Sequence, residues 1–379
     1  MRKNKIKILH VAQAAGGVDR YIQMLLKYLN KDLFDNILIC SQDFHEEDYT
    51  NLVSDFEQIV MNREIGSEDI KAIRKVRKLI KKYQPDIVYS HSSKAGAITR
   101  IANIGIKNHC IYNPHGWAFN MRCSNGKKIL YAFIERTLAL FCEKIICISD
   151  AEKKSALNKK ICRKNKLQVI FNGIDVAAYE NAVHGEVKRK DLDIPKDAFV
   201  VGMVGRISAQ KAPDIFIKVA KLIKNEIPSA HFIIVGSGNQ EGDIKEYASD
   251  NNFLDSLHIT GWVENPMSYI ELFDVACLLS RWEGFGLVLP EYMLAEKPIV
   301  ASRVDAIPNI IRDGENGLLV RVDDVNDVYN AIMKYYKDPS MKELIVTCGL
   351  KDVKEKFNAV RVSEEHESLF KNMMEKNEI

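Results

Sequence analysis

With 379 residues, the chain is longer than one hydrophobic core usually supports, so two domains are expected. Its hydrophobic fraction of 46% and charged fraction of 28% are typical of a soluble globular protein, and no run of about 18 apolar residues predicts a membrane-spanning segment. The formal net charge of +3 hides an imbalance: residues 1–180 hold 30 Lys or Arg against 19 Asp or Glu, whereas residues 181–379 hold 24 against 32. The basic first half predicts an anionic partner, either nucleic acid or a membrane surface.

The eight cysteines form no Cys-x-x-Cys pair and no His/Cys cluster. Most lie in apolar runs, such as the one around Cys147, which indicates small buried side chains in a reducing compartment. The basic start of the chain is interrupted by Lys7, His10 and Gln13, so it predicts a first strand and not a signal peptide. A cytoplasmic protein is therefore expected.

Short apolar runs alternate with amphipathic segments along the whole chain. Strands are predicted at 6–12, 37–41, 58–61, 86–90, 110–114, 144–148 and 167–171, and again at 199–204, 231–236, 257–260, 275–279, 298–302 and 317–320. Helices are predicted between them, at 19–30, 69–83, 94–104, 127–142, 213–226, 242–251, 287–296 and 325–336. This alternation is typical of parallel sheets covered by helices.

The alternation occurs twice, which predicts two doubly wound, Rossmann-like α/β domains that face each other across a cleft. The polar segment 180–197 is the expected linker, so the domains are predicted at 1–180 and 181–358. A last helix at 359–376 could pack back on the first domain. Ligands of such sheets bind at the carboxyl ends of the strands, where the search for chemistry begins.

Two glycine pairs follow predicted strands. Gly16 and Gly17 separate the first strand from a helix, where backbone N–H groups can approach a phosphate; a plain tight turn is the alternative. Gly236 and Gly238 also follow a strand, but Glu241 stands where the third glycine of a dinucleotide fingerprint belongs. Neither place predicts NAD binding.

A pair of cations follows the strand at 199–204. Arg206 lies at its end, and Lys211 comes five residues later, just before Pro213 opens a helix. An arginine fork and a lysine point charge at this place suit a diphosphate, although a solvated loop explains them equally well.

Residues 280–291 place two carboxylates around a glycine-rich turn. Glu283 precedes Gly284, and Glu291 lies inside the predicted helix that follows. Carboxylates accept hydrogen bonds from the vicinal hydroxyls of a ribose or a sugar ring, so the two could hold the ends of a nucleotide sugar. A capped helix with an exposed acid is the alternative.

Glu283 and Glu291, with the Gly284-Phe285-Gly286 turn, match the Glu-x7-Glu signature of the retaining glycosyltransferases of family 4, whose fold is GT-B. Further segments fall in the order of that family, namely Gly16-Gly17, His-Ser-Ser-Lys-Ala-Gly at 91–96, Pro114-His115-Gly116, Phe171-Asn172-Gly173-Ile174-Asp175, and Gly205-Arg206 with Lys211. The resemblance covers nearly the whole chain. The segments around 91–96 and 114–119 look most like those of bacterial capsule, exopolysaccharide and O-antigen transferases.

The resemblance implies the donor-binding and catalytic groups residue by residue. Glu291 would contact the nucleotide ribose, and Glu283 the hydroxyls of the donor sugar. Arg206 and Lys211 would neutralise the diphosphate as its negative charge grows. Backbone amides of the glycine-rich loops would complete this cradle, at Gly16, Gly17, Gly236, Gly284, Phe285, Gly286 and Leu287. His115 would contact the sugar near the reaction centre.

No metal or other cofactor is implied besides the nucleotide sugar, for which UDP is the favoured carrier. The only Asp-x-Asp, Asp191-Leu-Asp193, lies in the predicted linker and is interpreted as solvated chain. The chain departs from the family at 305–309, where Asp-Ala-Ile-Pro-Asn replaces the common Gly-Gly-x-Pro-Glu. The loss of both glycines is expected to alter how closely that loop approaches the donor.

The acceptor side is predicted in the basic half. Helix 69–83 has a basic face and an apolar stripe of Ile70, Ile73, Val76, Ile80 and Tyr83. The basic face suggests contact with anionic lipid at the inner face of the membrane, or a solvated helix face. Transferases of this class often extend glycans on a membrane-resident polyprenyl diphosphate. The segment 117–128 is the candidate acceptor loop; its aromatic residues could stack on sugars or simply cover the core. Acceptor contacts are predicted for Trp117, Phe119, Asn120 and Lys94.

Three other functions remain open on the sequence alone. A nucleotide-sugar 2-epimerase shares the two-domain architecture, but it does not need Glu-x7-Glu in this form. A nucleic-acid-binding protein would explain the basic half, yet no aromatic-basic strand motif or recognition helix occurs, so nucleic acid is not expected as a partner. A basic membrane-binding subunit without catalysis would have little reason to keep every donor-side group.

Overall fold

A computed structural model describes residues 5–13, 15–62, 64–121, 123–182 and 184–375. These residues form two compact units: the described residues up to 173 with 358–375 are the first, and those from 174 to 357 are the second. The boundary between the units lies seven residues before the predicted one at 180/181. The reason is that Ile174 donates its backbone N–H to the Phe357 carbonyl, and Tyr179 donates its hydroxyl to Glu271, so segment 174–180 packs with the second unit.

The first unit is built on a seven-stranded sheet in which every described pair of neighbouring strands is parallel. Its strands are β1 (Ile6–Ala12), β2 (Phe34–Cys40), β3 (Asp55–Gln58), β4 (Ile87–His91), β5 (His109–Asn113), β6 (Lys144–Cys147) and β7 (Leu167–Val169). Their order is β3-β2-β1-β4-β5-β6-β7, so the winding reverses between β1 and β4. Helices α1 (Gly17–Tyr28), α2 (Glu68–Tyr83), α3 (Ser93–Ala102), α4 (Asn125–Leu138) and α5 (Asp150–Asn158) connect the strands.

The second unit repeats this plan with a six-stranded parallel sheet. Its strands are β8 (Val200–Val204), β9 (His231–Val235), β10 (Leu257–Ile259), β11 (Val275–Leu278), β12 (Ile299–Ser302) and β13 (Leu318–Val320), in the order β10-β9-β8-β11-β12-β13. Its helices are α6 (Val176–Glu180), α7 (Pro213–Glu226), α8 (Glu241–Asp250), α9 (Met267–Ile270), α10 (Val288–Leu294), α11 (Ile307–Ile310), α12 (Val325–Lys337) and α13 (Pro339–Lys356). The prediction of two doubly wound α/β domains is confirmed.

The last helix, α14 (Ala359–Glu375), belongs to the first unit although the second unit precedes it in the chain. Phe370 is fully buried and meets Phe34 and Tyr89 edge-on, with ring centroids 5.8 and 6.1 Å apart. The Arg361 guanidinium also donates to the Phe171 carbonyl. The helix therefore completes the core on the α1 side of the sheet.

Helix α2 differs in detail from its predicted stripe. Val76, Ile80 and Tyr83 are buried as expected, but Ile70 is 55% exposed, and Leu79, which lies outside the predicted stripe, is buried. The basic face is exposed, and Lys71 and Lys82 pair there with Glu68 and Glu57. Across the described ranges, none of the helices is long and apolar enough to traverse a bilayer.

Candidate functional site

In the second unit, the loops that leave β8 and β9 pack against each other backbone to backbone. Gly205 and Gly236 have φ angles of 146° and 141°. A Cβ on Gly236 would lie 2.2 Å from the Gly205 carbonyl oxygen, and one on Gly238 would lie 2.2 Å from the Ile207 carbonyl oxygen. Here the glycines are required because two chain segments approach closely. This close packing fixes the loop that carries Arg206 and Lys211.

Both predicted diphosphate-binding cations lie at the carboxyl end of β8, next to the place where the winding of the sheet reverses. Arg206 is exposed, and its guanidinium has no hydrogen-bond or ion-pair partner among the described residues. The Lys211 side chain is only 16% exposed, and its Nζ lies 2.5 Å from Glu283 Oε2. The fold therefore brings Arg206, Lys211 and Glu283, which are up to 77 positions apart in the sequence, to one edge of the sheet.

The loop that follows β11 is fastened to the loop that follows β8. The Arg281 backbone N–H donates to the Gln210 carbonyl at 2.8 Å, and Gln210 Nε2 donates to the Trp282 carbonyl at 3.0 Å. The Arg281 guanidinium bridges Asp214 and Asp323, at 2.7 and 2.6 Å. Sequence reasoning missed Arg281 and Gln210, although both stand inside the motifs that it singled out.

Glu283 is held from three sides. Ser280 Oγ donates to Glu283 Oε2 at 3.0 Å, Lys211 pairs with the same oxygen, and the Glu283 backbone N–H donates to Asp305 Oδ2 at 2.9 Å. Gly286 has a φ of 83°, and a Cβ there would lie 3.3 Å from Glu283 Cγ. The Phe285 ring is buried against Phe357, so this side chain anchors the turn.

The contacts of Asp305 explain why an aspartate can replace the first glycine of the family pattern at 305–309. It adopts a φ of 45°, a left-handed conformation that favours glycine, and its carboxylate fixes the backbone of Glu283. Burial and the charge of the neighbouring Glu283 raise the pKa of Asp305. The side chain thus adds a fastening that a glycine at this place would lack.

We expect Asp305→Ala to lower kcat/KM for the sugar transfer that the family resemblance implies by about tenfold, because one hydrogen bond that positions Glu283 is lost. Asp305→Gly separates the two contributions, since glycine relieves the left-handed backbone but also lacks the carboxylate. Both variants should be impaired in a steady-state assay, whereas Asp255→Ala, at an exposed aspartate, should match the wild type. Wild-type activity of Asp305→Gly would show that the carboxylate is not needed.

Glu291 lies apart from the Lys211–Glu283 pair, in the first turn of α10. It lines a cavity of about 320 Å³ in the second unit, together with Asp175, Asn265, Ser268 and Glu271, among others. Polar groups of this cavity are already organised, because Asn265 Nδ2 donates to Ser268 Oγ at 2.8 Å. The two carboxylates of the signature therefore face different surroundings.

In the first unit, His115 ends a chain of three imidazoles. His115 Nε2 lies 3.1 Å from His91 Nδ1, and His91 Nε2 lies 3.2 Å from His10 Nδ1. The far end closes on Asn36, whose side-chain oxygen lies 3.2 Å from His10 Nε2. Each contact needs one N–H group and one lone pair, so neutral rings with every proton on Nε2 satisfy all three. Nδ1 of His115 is then left as a hydrogen-bond acceptor.

Burial keeps these rings uncharged. It lowers the pKa of His10 to about 4 and that of His115 to about 3, and it holds the pKa of His91 well below its ordinary value, with neighbouring histidines adding to the effect. His366 of α14, within 3.1 Å of the Tyr21 and Tyr89 hydroxyls, has its pKa lowered to about 4 by burial. Sequence reasoning missed this cluster beyond His115, because its members come from distant segments.

The cluster predicts acid sensitivity. On unfolding, the rings return to a pKa near 6.5, so the unfolded chain binds more protons below that pH. Stability from burying neutral histidines is complete above about pH 7 and is lost as the pH falls towards 4, by about 1.4 kcal/mol per pH unit for each ring. Urea titrations between pH 7 and 5 give the free energy of unfolding at each pH, and its slope against pH reports the number of protons taken up on unfolding. His10→Gln should lower that number by about one. An unchanged slope would contradict a neutral buried His10.

The remaining first-unit predictions fare differently. Gly16 has a φ of 93° ahead of α1, which begins at Gly17, and the space beside its Cα is open. Trp117 and Phe119 are 1% and 2% exposed and stack at 5.2 Å, so they cover the core, which agrees with the alternative interpretation of this segment. Their contact with an acceptor stays a prediction. The Lys94 side chain is engaged within the first unit.

Lys94 Nζ is held by the Glu64 carbonyl and the Asp69 carboxylate, both at 2.6 Å, and fastens α3 to α2. Asn120 is exposed and accepts a hydrogen bond from Ser155 Oγ at 2.9 Å. It is the one predicted acceptor contact among these four that lies at the surface. Within the described ranges, no group of three His, Cys, Asp or Glu side chains is arranged to hold a metal ion.

Comparison with known proteins covers both units. The family model described as Glycosyltransferase Family 4 matches residues 15–178, and the one described as Glycosyl transferases group 1 matches residues 185–349. The chain is 30% identical, over 98% of both chains, to the UDP-Gal:alpha-D-GlcNAc-diphosphoundecaprenol alpha-1,3-galactosyltransferase of Escherichia coli. It is 27% identical, again over 98% of both, to the capsular polysaccharide biosynthesis glycosyltransferase CapM of Staphylococcus aureus.

A solved structure has the same fold. The Anabaena protein Alr3699/HepE, determined in complex with UDP and glucose, superposes with a TM-score of 0.83 at 20% identity. The match covers 97% of this chain and 100% of that one. At this identity the likeness establishes the fold of both units.

Proposed function

The chain belongs to the family 4 glycosyltransferases, which have the GT-B fold, and from this premise we propose its reaction. It transfers a sugar from a UDP-sugar to a lipid-diphosphate-linked glycan at the cytoplasmic face of the membrane. The anomeric configuration is retained, and no metal ion takes part. The reaction contributes to a cell-surface polysaccharide.

The observation that carries this proposal is the arrangement around Lys211. A lysine and an exposed arginine, Arg206, stand at the carboxyl end of β8, and a carboxylate that can accept sugar hydroxyls lies 2.5 Å from the lysine. Cleavage of the anomeric C–O bond leaves a nucleoside diphosphate with growing negative charge. Cations fixed where that charge develops stabilise the transition state more than the ground state.

The ion pair suggests how the donor is received. Without donor, Glu283 partly neutralises Lys211 and keeps its side chain in place. In the proposed complex, Lys211 turns its charge to the diphosphate, and Glu283 accepts hydrogen bonds from the sugar. Glu291, at the separate cavity, accepts from the ribose hydroxyls. His115 offers Nδ1 as a neutral acceptor to a sugar hydroxyl, which its low pKa permits throughout the physiological range.

The substrates are inferred from relatives. The Escherichia coli relative is named for UDP-galactose and an undecaprenol-diphosphate-linked GlcNAc, and the Anabaena structure holds UDP and glucose. We therefore propose a uridine diphosphate donor and a polyprenyl-diphosphate-linked acceptor. Peripheral contact of the basic face of α2 with anionic lipid remains a prediction that follows from such an acceptor.

A ligand panel tests the donor. At 100 times its dissociation constant, UDP or a UDP-sugar should stabilise the protein by about 2.7 kcal/mol, seen as a rise in Tm, and this should persist in EDTA. GDP and its sugars should give a smaller rise. Incubation of the stabilising UDP-sugar with a GlcNAc-diphospholipid should release UDP, and NMR of the product should show the retained anomeric configuration.

The same assays exclude the alternatives. Isomerisation of the UDP-sugar without an acceptor would indicate a 2-epimerase. An inverted product, or turnover that vanishes in EDTA and returns with manganese, would contradict the proposed mechanism. No Tm rise with any nucleotide would contradict a donor site in this chain.

A further inference from the structure

Four polar side chains form a line across the sheet of the first unit. In spatial order they are Asn36 of β2, His10 of β1, His91 of β4 and His115, which follows β5. Since the strand order is β2-β1-β4-β5, each side chain comes from the next strand of the sheet. The first three are buried, whereas His115 is partly exposed. These four residues are called the polar row, which has one buried end and one end that reaches solvent.

The three rings of the polar row meet edge to edge. The planes of His10 and His91 are 15° apart, and those of His91 and His115 are 27° apart. Their ring centres are separated by 5.5 and 5.4 Å, whereas the facing nitrogens are 3.2 and 3.1 Å apart. Each separation equals the N···N distance plus the distance from either nitrogen to the centre of its ring. The nitrogens therefore lie on the line between the centres, which is the preferred straight geometry of an N–H···N hydrogen bond.

The direction of these hydrogen bonds is set at Asn36. Its side-chain oxygen faces Nε2 of His10 and can only accept, so His10 carries its proton on Nε2. Nδ1 of His10 then accepts from His91, and Nδ1 of His91 accepts from His115 in the same way. One carboxamide oxygen thus decides which nitrogen of His115 is left without a proton.

A single ring of the row cannot reverse on its own. If His91 alone moved its proton to Nδ1, two N–H groups would face each other at His115 and two lone pairs at His10. Both hydrogen bonds would be lost in the interior, where polar groups without partners are costly. The three rings must therefore reverse together, and this requires Asn36 to turn its NH₂ group towards His10.

The rings of the row are also held from the side. The Tyr89 ring lies against His91, with centroids 4.1 Å apart, and the Tyr21 ring meets His115 edge-on at 4.6 Å. The His115 backbone N–H donates to the side-chain oxygen of Asn113 at 3.0 Å. Both the place and the orientation of the His115 ring are thus fixed before any substrate binds.

We propose that Asn36 is a positioning residue for His115, because its side-chain oxygen fixes the tautomer of all three rings and leaves Nδ1 of His115 unprotonated. The substrate group that meets this nitrogen must then be a hydrogen-bond donor, such as a sugar hydroxyl, and not a phosphate oxygen. This consequence rests on the proposed function, in which His115 contacts the sugar. The positions of the protons do not depend on it.

Nitrogen NMR of the chain with ¹⁵N-labelled histidine reads the tautomers without substrates. The His115 signals are those that disappear in His115→Gln, and in the wild type they should show a protonated Nε2 and an unprotonated Nδ1. Asn36→Leu keeps the approximate size of the side chain and removes its oxygen. In this variant, part of the His115 population should carry its proton on Nδ1.

A buried asparagine elsewhere in the first unit supplies the matched control. Asn103 and Asn108 exchange side-chain hydrogen bonds of 2.7 and 2.9 Å. Asn103→Leu should lower stability as Asn36→Leu does, because a buried polar partner is lost in both. It should leave the His115 signals unchanged, so a shift that is confined to Asn36→Leu separates positioning from general loosening of the fold.

Transfer assays measure the consequence for the reaction. Asn36→Leu should lower kcat/KM for the UDP-sugar by about tenfold, because a hydrogen bond to the sugar is lost, whereas the Kd of UDP, which carries no sugar, should not change. His91→Gln should keep most of the activity, because an amide can accept from His115 and donate to His10 in the order of the original ring. His91→Leu should lose as much activity as Asn36→Leu, and Asn103→Leu should be fully active.

The proposal is overturned if the wild-type His115 carries its proton on Nδ1, or if neither Asn36→Leu nor His91→Leu changes the tautomer. Should Asn36→Leu not fold, the comparison of His91→Leu with His91→Gln tests the same row. A changed tautomer with wild-type kcat/KM would also contradict the proposal, because Nδ1 would then not serve the reaction. The expected tautomers in a chain that transfers no sugar would leave the positioning of His115 standing and contradict the proposed function.

Discussion

Lys211→Met is expected to lower kcat/KM for transfer from the UDP-sugar by about 10²–10³-fold, the cost of removing one preorganised group that stabilises developing negative charge. The substitution keeps most of the aliphatic stem and removes the ammonium 2.5 Å from Glu283. Because the charge on the diphosphate grows as the glycosidic bond breaks, most of the loss should appear in kcat and less in the Kd of UDP.

A double variant separates the loss of activity from the loss of stability that breaking the Lys211–Glu283 ion pair causes. Lys211→Met leaves the Glu283 carboxylate, 10% exposed, with Ser280 and without its cation, so the fold should also be destabilised. Adding Glu283→Gln should restore much of the stability but none of the activity, because the proposed complex uses both charged groups. Lys245→Met, which breaks an exposed pair on α8, is the matched control and should be fully active.

Recovery of activity in the double variant would contradict this account. It would mean that Lys211 serves only to neutralise Glu283. Unchanged kcat in Lys211→Met would contradict it as well. Thermal unfolding of all four proteins shows whether each activity is measured on folded enzyme.

The second large effect is expected at Glu291. Glu291→Gln should raise the Kd of UDP by about 100-fold, since a hydrogen bond to a charged group contributes about 1.5–3 kcal/mol and its partner would be buried in the complex. The substitution preserves shape and removes the charge. Glu343→Gln, at an exposed glutamate of α13, should bind UDP as the wild type does.

The ligand itself supplies the sharper control for Glu291. Deoxy-UDP lacks the ribose 2′-hydroxyl, so the wild type should bind it more weakly than UDP, and Glu291→Gln should bind both equally. This cycle isolates the contact between carboxylate and hydroxyl. A preference for UDP that survives in Glu291→Gln would place the ribose elsewhere, for example outside the cavity that Glu291 lines.

Much of the fold could be predicted from local patterns. Apolar runs bounded by turns gave the parallel strands, and their alternation with amphipathic segments gave the two doubly wound units. The edge strands of the sheets were less predictable. Strand β3 lies at Asp55–Gln58, whereas the apolar run 58–61 predicted a strand three residues later. The register of an edge strand depends on its pairing with β2, where Ile37 pairs with Asp55, and this pairing is not local.

The candidate site shows the same division. Arg206, Lys211 and Glu283 could be placed together, because strands of a parallel sheet end at one edge and their loops meet there. The sequence could not decide whether Trp117 and Phe119 contact an acceptor or cover the core, because a short aromatic segment after a strand can face either way. Asp305 was noticed only as a missing glycine, since its hydrogen bond to Glu283 depends on how two distant loops pack.

The account depends on how the UDP diphosphate is bound, and a crystal structure of the UDP complex grown in EDTA would show this directly. We expect diphosphate oxygens within about 3 Å of Lys211 Nζ and the Arg206 guanidinium, and ribose hydroxyls at Glu291. A diphosphate bound away from the end of β8, or one that enters the crystal only when manganese is supplied, would contradict the central claim.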